Sequence, residues 1–479
     1  MTTRTRFAPS PTGALHLGNA RTAVLNWLIA RHDAGAFVVR FEDTDIARNV
    51  DASEAEILES LDWLGLDRDE DPVVSGPYGP YRQSDRLEVY RARAEELRTR
   101  GLAYACYCTQ EELDERRARA ITAGQPAAYD GRCRNLTPEE RQRLADEGRG
   151  SALRFCVEPG PIAYADRIRG EISVDGAEFG DIVILRSDGR PTYNFAVVVD
   201  DLAMRITTVI RGAAHLDNTP KQVLIYRAFD AEPPEFVHVP NVLAPGGGKL
   251  SKREGAPGLL EYGEAGYHPD AVVNYLSLLS WSSADAEEVF TPEELIERID
   301  LDRLGSANPM IDLEKMRWLS GQHIRREPSA TLATRIRPFI SMVLLGLDDS
   351  DLGRLAEVLH QRILLFAEAD VTARELYPEP ELQSPEAATA LADETAVPVL
   401  DQVSRAWGEL AAWERAELKA GLASAGLAAG VRGKQLYHPV RVALTGAVQG
   451  PDLHDVAYAI GRDRTLGRLG VARDTARPS

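Results

Sequence analysis

The feature that most constrains the fold is a βαβ pattern at the N-terminus. Arg4 to Ala8 alternates in character and stops at Pro9, as a short strand does. Pro9, Pro11 and Gly13 punctuate a loop. Asn19 to His32 follows as a helix, with Ala23, Leu25, Trp27, Leu28 and Ile29 covering so much of its surface that burial on most sides is expected, and Gly35 ends it. Ala36-Phe-Val-Val-Arg-Phe41 is the next strand. Strand, glycine-containing turn, helix and strand begin a parallel α/β layer.

At 479 residues the chain should form about two to four domains. A composition of 44% hydrophobic and 27% charged residues is that of a globular protein, and no apolar stretch approaches membrane-spanning length. Four cysteines make no disulfide framework, and Met1 to Arg6 leads straight into the first motif without room for a signal peptide, so a cytoplasmic protein is expected. The net charge of −19 argues against a protein that coats itself in nucleic acid. From Gly421 to Ser479, however, eight Lys/Arg face four Asp/Glu. That excess is either a local basic face for phosphates or an ordinary solvated helical tail.

Further helices are expected at Ser53 to Leu64 and Ser84 to Arg100. Thr109 with Glu112, Thr137 with Glu140 and Thr291 with Glu294 have capping-box spacing, in which hydroxyl and carboxylate satisfy the free amides of a helix start. Residues 150 to 200 read as strand-rich, including Asp181-Ile-Val-Ile-Leu185 and Phe195-Ala-Val-Val-Val199. From about Asp312 the pattern turns helical, which places a domain boundary near Ser320, and the proline-rich Tyr377 to Pro385 reads as a connector between helical subdomains.

Two motifs carry the chemistry. His16, Gly18 and Asn19 sit at the loop-to-helix junction after the first strand, where free backbone amides and the helix dipole make an anion site. Lys249, Ser251, Lys252 and Arg253 follow Pro245-Gly-Gly-Gly248, so three cations can close over a polyphosphate and stabilise charge built up during its transfer. Alone, the first would pass for a capping histidine and the second for a surface turn.

In this order the two motifs are the signature of class I aminoacyl-tRNA synthetases, and the chain resembles the bacterial glutamyl-tRNA synthetases nearly end to end. The resemblance rests on Arg6-Phe-Ala-Pro-Ser-Pro-Thr-Gly13, Arg40-Phe-Glu-Asp-Thr-Asp45, Gly79-Pro-Tyr-Arg-Gln-Ser84, Pro191-Thr-Tyr-Asn-Phe-Ala-Val-Val-Val-Asp-Asp201, Ile210-Arg-Gly212, Asn218-Thr-Pro220 and Pro439-Val-Arg-Val-Ala-Leu-Thr-Gly446. It implies an α/β Rossmann-like catalytic domain with an inserted α+β acceptor-binding domain, followed by an all-α anticodon-binding region. The implied layout is catalytic domain over 1–84 and 191–250, insertion over 85–190, stem-contact region with the Lys249–Arg253 loop over 251–320, and helical subdomains over 321–375 and 376–479.

The implied reaction joins L-glutamate to tRNA(Glu) through glutamyl-adenylate, with ATP and Mg2+. His16, Asn19, Lys249 and Lys252 are the implied catalytic groups, and Gly18, Ser251 and Arg253 join them around ATP. A guanidinium grips a carboxylate with two hydrogen bonds but meets an amide NH₂ donor to donor. By the resemblance, Arg6 faces the substrate side chain, while Arg211, Tyr193, Ser10, Ala8 and Glu42 complete the pocket, Glu42 suiting the α-ammonium. Asp43 and Asp45 read as a helix-capping loop. In the helical region Arg432, Lys434, Tyr437, His438 and Arg441 form the best basic and aromatic cluster for tRNA, Trp407 and Trp413 read as core, and side chains around His360 to Arg362 would bear on whether tRNA(Gln) is also used. A monomer is expected.

Two departures stand out. Ala213-Ala214 replaces an acidic pair found after Arg-Gly in many family members. Cys106, Cys108 and Cys133 match a zinc pattern whose usual histidine is here Asn135, with Tyr129 as the alternative fourth ligand. Either that site closes on zinc or three thiols remain from a degenerate one. Cys156 reads as core. The alternatives to a glutamate enzyme are a glutaminyl-tRNA synthetase, against which the helical C-terminal region and the two arginines argue, and a weakly active or regulatory tRNA-binding paralogue, whose support is Ala213-Ala214.

Overall fold

The computed structural model describes residues 2–44, 52–124, 128–248, 257–341, 347–377 and 381–476. The chain forms two compact units, Met1–Glu261 with Val272–Leu313, and Tyr262–Ala271 with Glu314–Ser479. No helix among the described residues is long and apolar enough to cross a membrane.

The first unit grows from the N-terminal pattern. β1 (Arg4–Phe7), α1 (Leu17–His32) and β2 (Ala36–Val39) form the expected unit, with β1 and β2 parallel. α1 buries residues on every side, from Leu17 to Ala30. α2 (Ser53–Trp63) and α3 (Leu87–Thr99) follow. Then come β3 (Ala103–Cys106), α4 (Gln110–Thr122), α5 (Pro138–Asp146), β4 (Ala152–Phe155), β5 (Pro161–Asp166), β6 (Gly170–Asp175) and β7 (Ile182–Leu185). α6 (Tyr193–Ala203), β8 (Thr208–Gly212), α7 (Thr219–Ala228) and β9 (Glu235–Val239) complete the part that matters here. Both reciprocal bonds of the capping box are present at Thr109, Thr137 and Thr291. That motif is local, so the sequence is enough to specify it.

The main sheet has the order β2-β1-β8-β9-β5-β6, parallel except for the β5–β6 hairpin. β3, β4 and β7 make a separate antiparallel sheet. The strands between residues 150 and 190 are thus divided: β4 and β7 build the smaller sheet, whereas β5 and β6 extend the parallel one.

Phe195 to Val199 is not a strand. It lies within α6 and every residue of it is buried. A short apolar run fits a buried strand or a buried helix equally, and the valines tilt propensity toward strand. Tertiary contacts decide otherwise. In a strand Asp200 and Asp201 would point to opposite faces; on a helix they sit about 100° apart and can address one cluster of cations.

That cluster ties the unit together. Asp201 accepts from Arg40 Nη1 at 2.8 Å and lies 3.4 Å from Arg6 Nε. Asp200 accepts from Arg86 Nε at 2.7 Å, Gln83 Nε2 at 2.8 Å and the Tyr90 hydroxyl at 2.8 Å, with Arg40 Nε 3.5 Å away. Arg40 is completely buried, and the surrounding carboxylates raise its pKa against the penalty of burial.

The second unit is helical throughout its described length after Glu314, with helices from Ser329–Ile336 to Arg462–Ala476. One apolar cluster runs from Ile324 to Ala472, so residues on both sides of Tyr377 to Pro385 share a core. The end of that segment is held closely: Gln383 N–H donates to the Gly446 carbonyl at 3.0 Å. Gly446 has φ of 73°, and a Cβ there would meet the Glu381 carbonyl oxygen at 1.9 Å, so only glycine fits. Trp407 is fully buried, donates to the Leu418 carbonyl at 2.9 Å and packs edge-on against Trp413.

Asp200→Ala should lower the unfolding free energy by about 3–5 kcal/mol, because it strands Arg86 and Arg40 in the interior. Urea denaturation checks this; a loss within about 1 kcal/mol would show that the network is not what holds these elements.

Candidate active site

The strands of a parallel sheet deliver their side chains to one end, and ligands sit beyond the carboxyl ends where neighbouring connections diverge. Here those ends are Arg6 to Ala8 of β1, Arg40 to Glu42 after β2, and Arg211 and Gly212 of β8. A cavity of about 440 Å³ opens there, and all six residues assigned to glutamate from the sequence line it: Arg6, Ala8, Ser10, Glu42, Tyr193 and Arg211.

Its electrostatics are unbalanced. Arg6 and Arg211 are 3% and 5% exposed. Arg6 is paired through Nε with Asp201. Arg211 has no carboxylate partner among its described contacts: Nε donates to His238 Nε2 at 3.0 Å, Nη2 donates to Thr219 Oγ1 at 2.8 Å, and Nη1 is buried without a partner among the described residues. Burial, with the neighbouring Arg6 charge, pushes the Arg211 pKa down. Burial pushes Glu42 up to about 7 in spite of Arg40 and Arg6, and Tyr193 up to about 12. A site with two confined guanidiniums and a half-ionised carboxylate can hold a small zwitterion with an extra negative charge.

A second cavity of about 400 Å³ shares Ser10, Asn19 and His215 with the first and is lined by His16 and Gly18. His16 is the N-cap of α1, its Nδ1 accepting from the amides of Gly18 at 3.1 Å and Asn19 at 3.4 Å. Those two amides are therefore occupied, not free for an anion as the motif suggested. The cap fixes the tautomer instead: with Nδ1 accepting, the proton resides on Nε2. The helix dipole still favours negative charge at this end.

Lys249, Ser251, Lys252 and Arg253 lie outside the described residues, as does Asp45. The approach to them is described: Gly246 and Gly247 have φ of 101° and 97°, and Ala244 N–H donates to the Gly248 carbonyl at 2.7 Å. Asp43 accepts from the Ser84 amide at 2.8 Å and from its hydroxyl, the capping arrangement expected for that loop.

Other residues emerged only from the fold. Arg21 is buried on α1, lines the second cavity and donates to the Pro240 carbonyl, and its Nε and Nη1 have no partner among the described residues; burial lowers its pKa to about 10. His215 bridges both cavities, with Nδ1 2.9 Å from the Tyr193 hydroxyl. Ala213 and Ala214 start the 3-10 helix that carries it, and Ala214 lines the second cavity. The Arg-Gly-x-x-His spacing was the one available signal for His215.

Cys106, Cys108 and Cys133 converge, their sulfurs within 4.8 Å of one another. The Tyr129 hydroxyl lies 3.5 Å from both Cys106 Sγ and Cys108 Sγ and accepts from the Cys133 amide at 3.0 Å, whereas Asn135 is exposed. The donor set therefore closes with tyrosine, and it fits zinc: bonds of about 2.3 Å in a tetrahedron require sulfurs about 3.8 Å apart, and Cys108 and Cys133 are 3.6 Å apart. Arg154, unnoticed in the sequence, places Nε 3.3 Å from Cys106 Sγ and its guanidinium 3.8 Å from the Tyr129 ring centre, a charge suited to an anionic ligand set. Cys156 is half-buried beside this cluster, not fully in the core.

In the helical unit Arg432, Lys434 and Tyr437 are exposed and His438 is half-buried. Arg441 is held by the Pro451 carbonyl. Arg362 is tied to Asp455 at 2.7 Å, and His360 caps the helix Asp349–Leu359.

Comparison with known proteins agrees with this geometry. Residues 2–318 match the catalytic domain of class I tRNA synthetases (E and Q), and residues 331–473 match an anticodon binding domain. The chain is 43% identical to a glutamate–tRNA ligase of Carboxydothermus hydrogenoformans, covering 96% of this chain and 97% of that one. It is 39% identical to the glutamate–tRNA ligase of Bacillus subtilis, covering 97% and 98%. A crystal structure of a glutamate tRNA ligase from Elizabethkingia meningosepticum, in complex with its amino acid, superposes with a TM-score of 0.83 at 32% identity over the full length of both chains. A parallel sheet with its cavities at the strand ends, followed by a helical unit, thus carries the sequence of a member of the class I tRNA synthetases of the glutamate and glutamine group.

Proposed function

We propose that the protein is a glutamate–tRNA ligase, and that one observation carries the choice of amino acid: two buried arginines, one lacking a carboxylate partner, face Glu42 across a cavity beside the His16 helix cap. Arg6 and Arg211 bind the side-chain carboxylate of L-glutamate, and Glu42, with Tyr193, Ser10 and Ala8 around it, binds the α-ammonium. Glutamine would set its amide donors against guanidinium donors at the same place.

ATP occupies the neighbouring cavity with Mg2+. The His16 Nε2–H and the side-chain amide of Asn19 donate to phosphate oxygens, Gly18 lets the backbone come close, and Lys249, Ser251, Lys252 and Arg253 close over the β- and γ-phosphates. The α-carboxylate of glutamate attacks the α-phosphorus, and pyrophosphate leaves against these cations. The terminal ribose hydroxyl of tRNA(Glu) then attacks the acyl carbon and AMP leaves. No protein nucleophile takes part; the gain comes from alignment and from donors fixed where charge develops. The strand-rich insertion receives the acceptor end of the tRNA. Arg432, Lys434, Tyr437 and Arg441 contribute to the anticodon face, and tRNA(Gln) is a possible second acceptor. The enzyme acts as a cytoplasmic monomer.

A structural zinc, held by Cys106, Cys108, Tyr129 and Cys133, fastens the start of the insertion by cross-linking the end of β3 to the segment around Cys133. Arg154 offsets the charge of the ligands.

The deciding assay is ATP–pyrophosphate exchange with and without tRNA. Exchange should depend on glutamate; exchange with glutamine alone would reassign the enzyme, and none with either would leave a non-catalytic tRNA-binding protein. Lys252→Ala should reduce exchange by about a hundredfold or more while tRNA binding survives.

The raised pKa of Glu42 gives a pH dependence. Glu42 must be ionised to hold the ammonium, so the KM for glutamate should fall as pH rises through about 7. Glu42→Gln should raise this KM and remove that dependence; a pH-independent KM in the parent enzyme would remove Glu42 from this role. Metal analysis of protein purified without chelators should find near-stoichiometric zinc, lost in Cys133→Ser. Zinc well below stoichiometry in the parent protein would leave three thiols and no site.

A further inference from the structure

Neither His238 nor Asp166 belongs to the recognised motifs, yet the sheet brings both to Arg211. β8 and β9 are parallel neighbours in a register that places Arg211 beside His238. β5 lies on the other side of β9, with Asp166 opposite Phe236, two residues and so one pleat repeat from His238. Asp166, His238 and Arg211 therefore form a row across three strands. All three are buried, His238 completely.

The hydrogen bonds along this row have one consistent assignment. A guanidinium only donates, so the 3.0 Å bond from Arg211 Nε requires a lone pair on His238 Nε2. The imidazole proton then resides on Nδ1, which lies 2.7 Å from Asp166 Oδ2. Asp166 is fixed in turn, accepting from the His238 amide at 3.0 Å and through Oδ1 from the amides of Ile168 and Arg169 at 3.0 and 2.8 Å. Thr219 Oγ1 accepts from Arg211 Nη2 at 2.8 Å and also lies 3.0 Å from His238 Nε2, a second contact to the same lone pair. Nε and one N–H of Nη2 are thus committed, whereas the second N–H of Nη2 is not assigned and the buried Nη1 has no partner among the described residues; Arg211 lines the cavity.

We propose that the Asp166–His238 pair is a positioning device for amino-acid selection: it locks the imidazole tautomer that accepts from Arg211 Nε and so orients the remaining guanidinium N–H groups toward the side-chain carboxylate of the substrate. The proposal rests on the glutamate reading above. Burial and the nearby Arg211 charge hold the His238 pKa below its ordinary value, which keeps the ring neutral. A protonated ring, or the other tautomer, would set N–H against N–H and turn the guanidinium away.

The test is glutamate-dependent ATP–pyrophosphate exchange, in the presence of tRNA, by the full-length protein and its His238→Leu, His238→Gln and Asp166→Asn variants, with thermal unfolding followed in parallel. His238→Leu should raise the KM for glutamate by about tenfold or more and leave that for ATP within about twofold, since one hydrogen bond to a charged group is lost on one substrate's side. The preference for glutamate over glutamine in kcat/KM should fall in the same variant. His238→Gln offers an amide oxygen to Arg211 Nε and should recover most of both; Asp166→Asn should fall between. An unchanged glutamate KM in folded His238→Leu, or equal losses for glutamate and ATP, would overturn the proposal. If His238→Leu does not fold, Asp166→Asn decides, and a parental glutamate KM there overturns it. Absence of glutamate-dependent exchange in the parent protein would overturn instead the reading beneath it.

Discussion

Two adjacent carboxylates on a buried helix organise the catalytic unit. Asp200 and Asp201 draw in Arg40, Arg86 and Arg6 from β1, from the end of β2 and from the start of α3. Buried ion pairs rarely add much net stability, because removing charges from water costs nearly what their attraction returns. Their effect here is positional: each guanidinium is directed by the carboxylate oxygens it meets. Arg6 is thereby held at the cavity with its Nε on Asp201, and the terminal end of the side chain is left for a ligand.

The same network explains why the cavity favours an anion. Asp201 keeps a depressed pKa, burial notwithstanding, because Arg6 and Arg40 flank it, so it stays ionised and is consumed by the scaffold. Glu42 is largely buried and half-ionised near neutrality. Arg211 faces a neutral imidazole and a hydroxyl instead of a carboxylate. The positive charge left over beside Arg6 sits where solvent is limited and Coulomb interactions are strong. The neighbouring cavity repeats the device with Arg21, which donates to a carbonyl and has no carboxylate partner among the described residues. Negatively charged ligands suit both places, because there the scaffold leaves cations unmatched among the described residues.

Residues in contiguous motifs were legible before the fold was known. Arg6 to Ser10, His16 to Asn19, Glu42 and Arg211 declare themselves through fixed local spacing, and the structure gathers the described ones around two joined cavities. Local hydrogen bonding was equally readable, as in the three capping boxes. The failures share a cause. His238, Asp166 and Arg154 act through contacts between strands distant in sequence, and nothing in their own neighbourhoods marks them. Phe195 to Val199 has strand-like composition, but its conformation is set by where Asp200 and Asp201 must point. The amides after His16 look available in sequence, and only the side-chain rotamer shows that the imidazole takes them.

The thiol cluster shows the same division. Three cysteines at recognisable spacing pose the question, and the missing histidine leaves it open in sequence, since ligand choice depends on which oxygen, nitrogen or sulfur the backbone brings within reach. The fold carries Tyr129 to the thiols and leaves Asn135 in solvent. By itself, then, the sequence determined the βαβ start, the helical second unit, the family and the motif residues, because periodicity, caps and contiguous motifs are local properties. Tertiary structure alone decided the form of α6, the tyrosine at the thiol cluster and the Asp166–His238–Arg211 row, because those depend on strand register and buried charge pairing between distant segments.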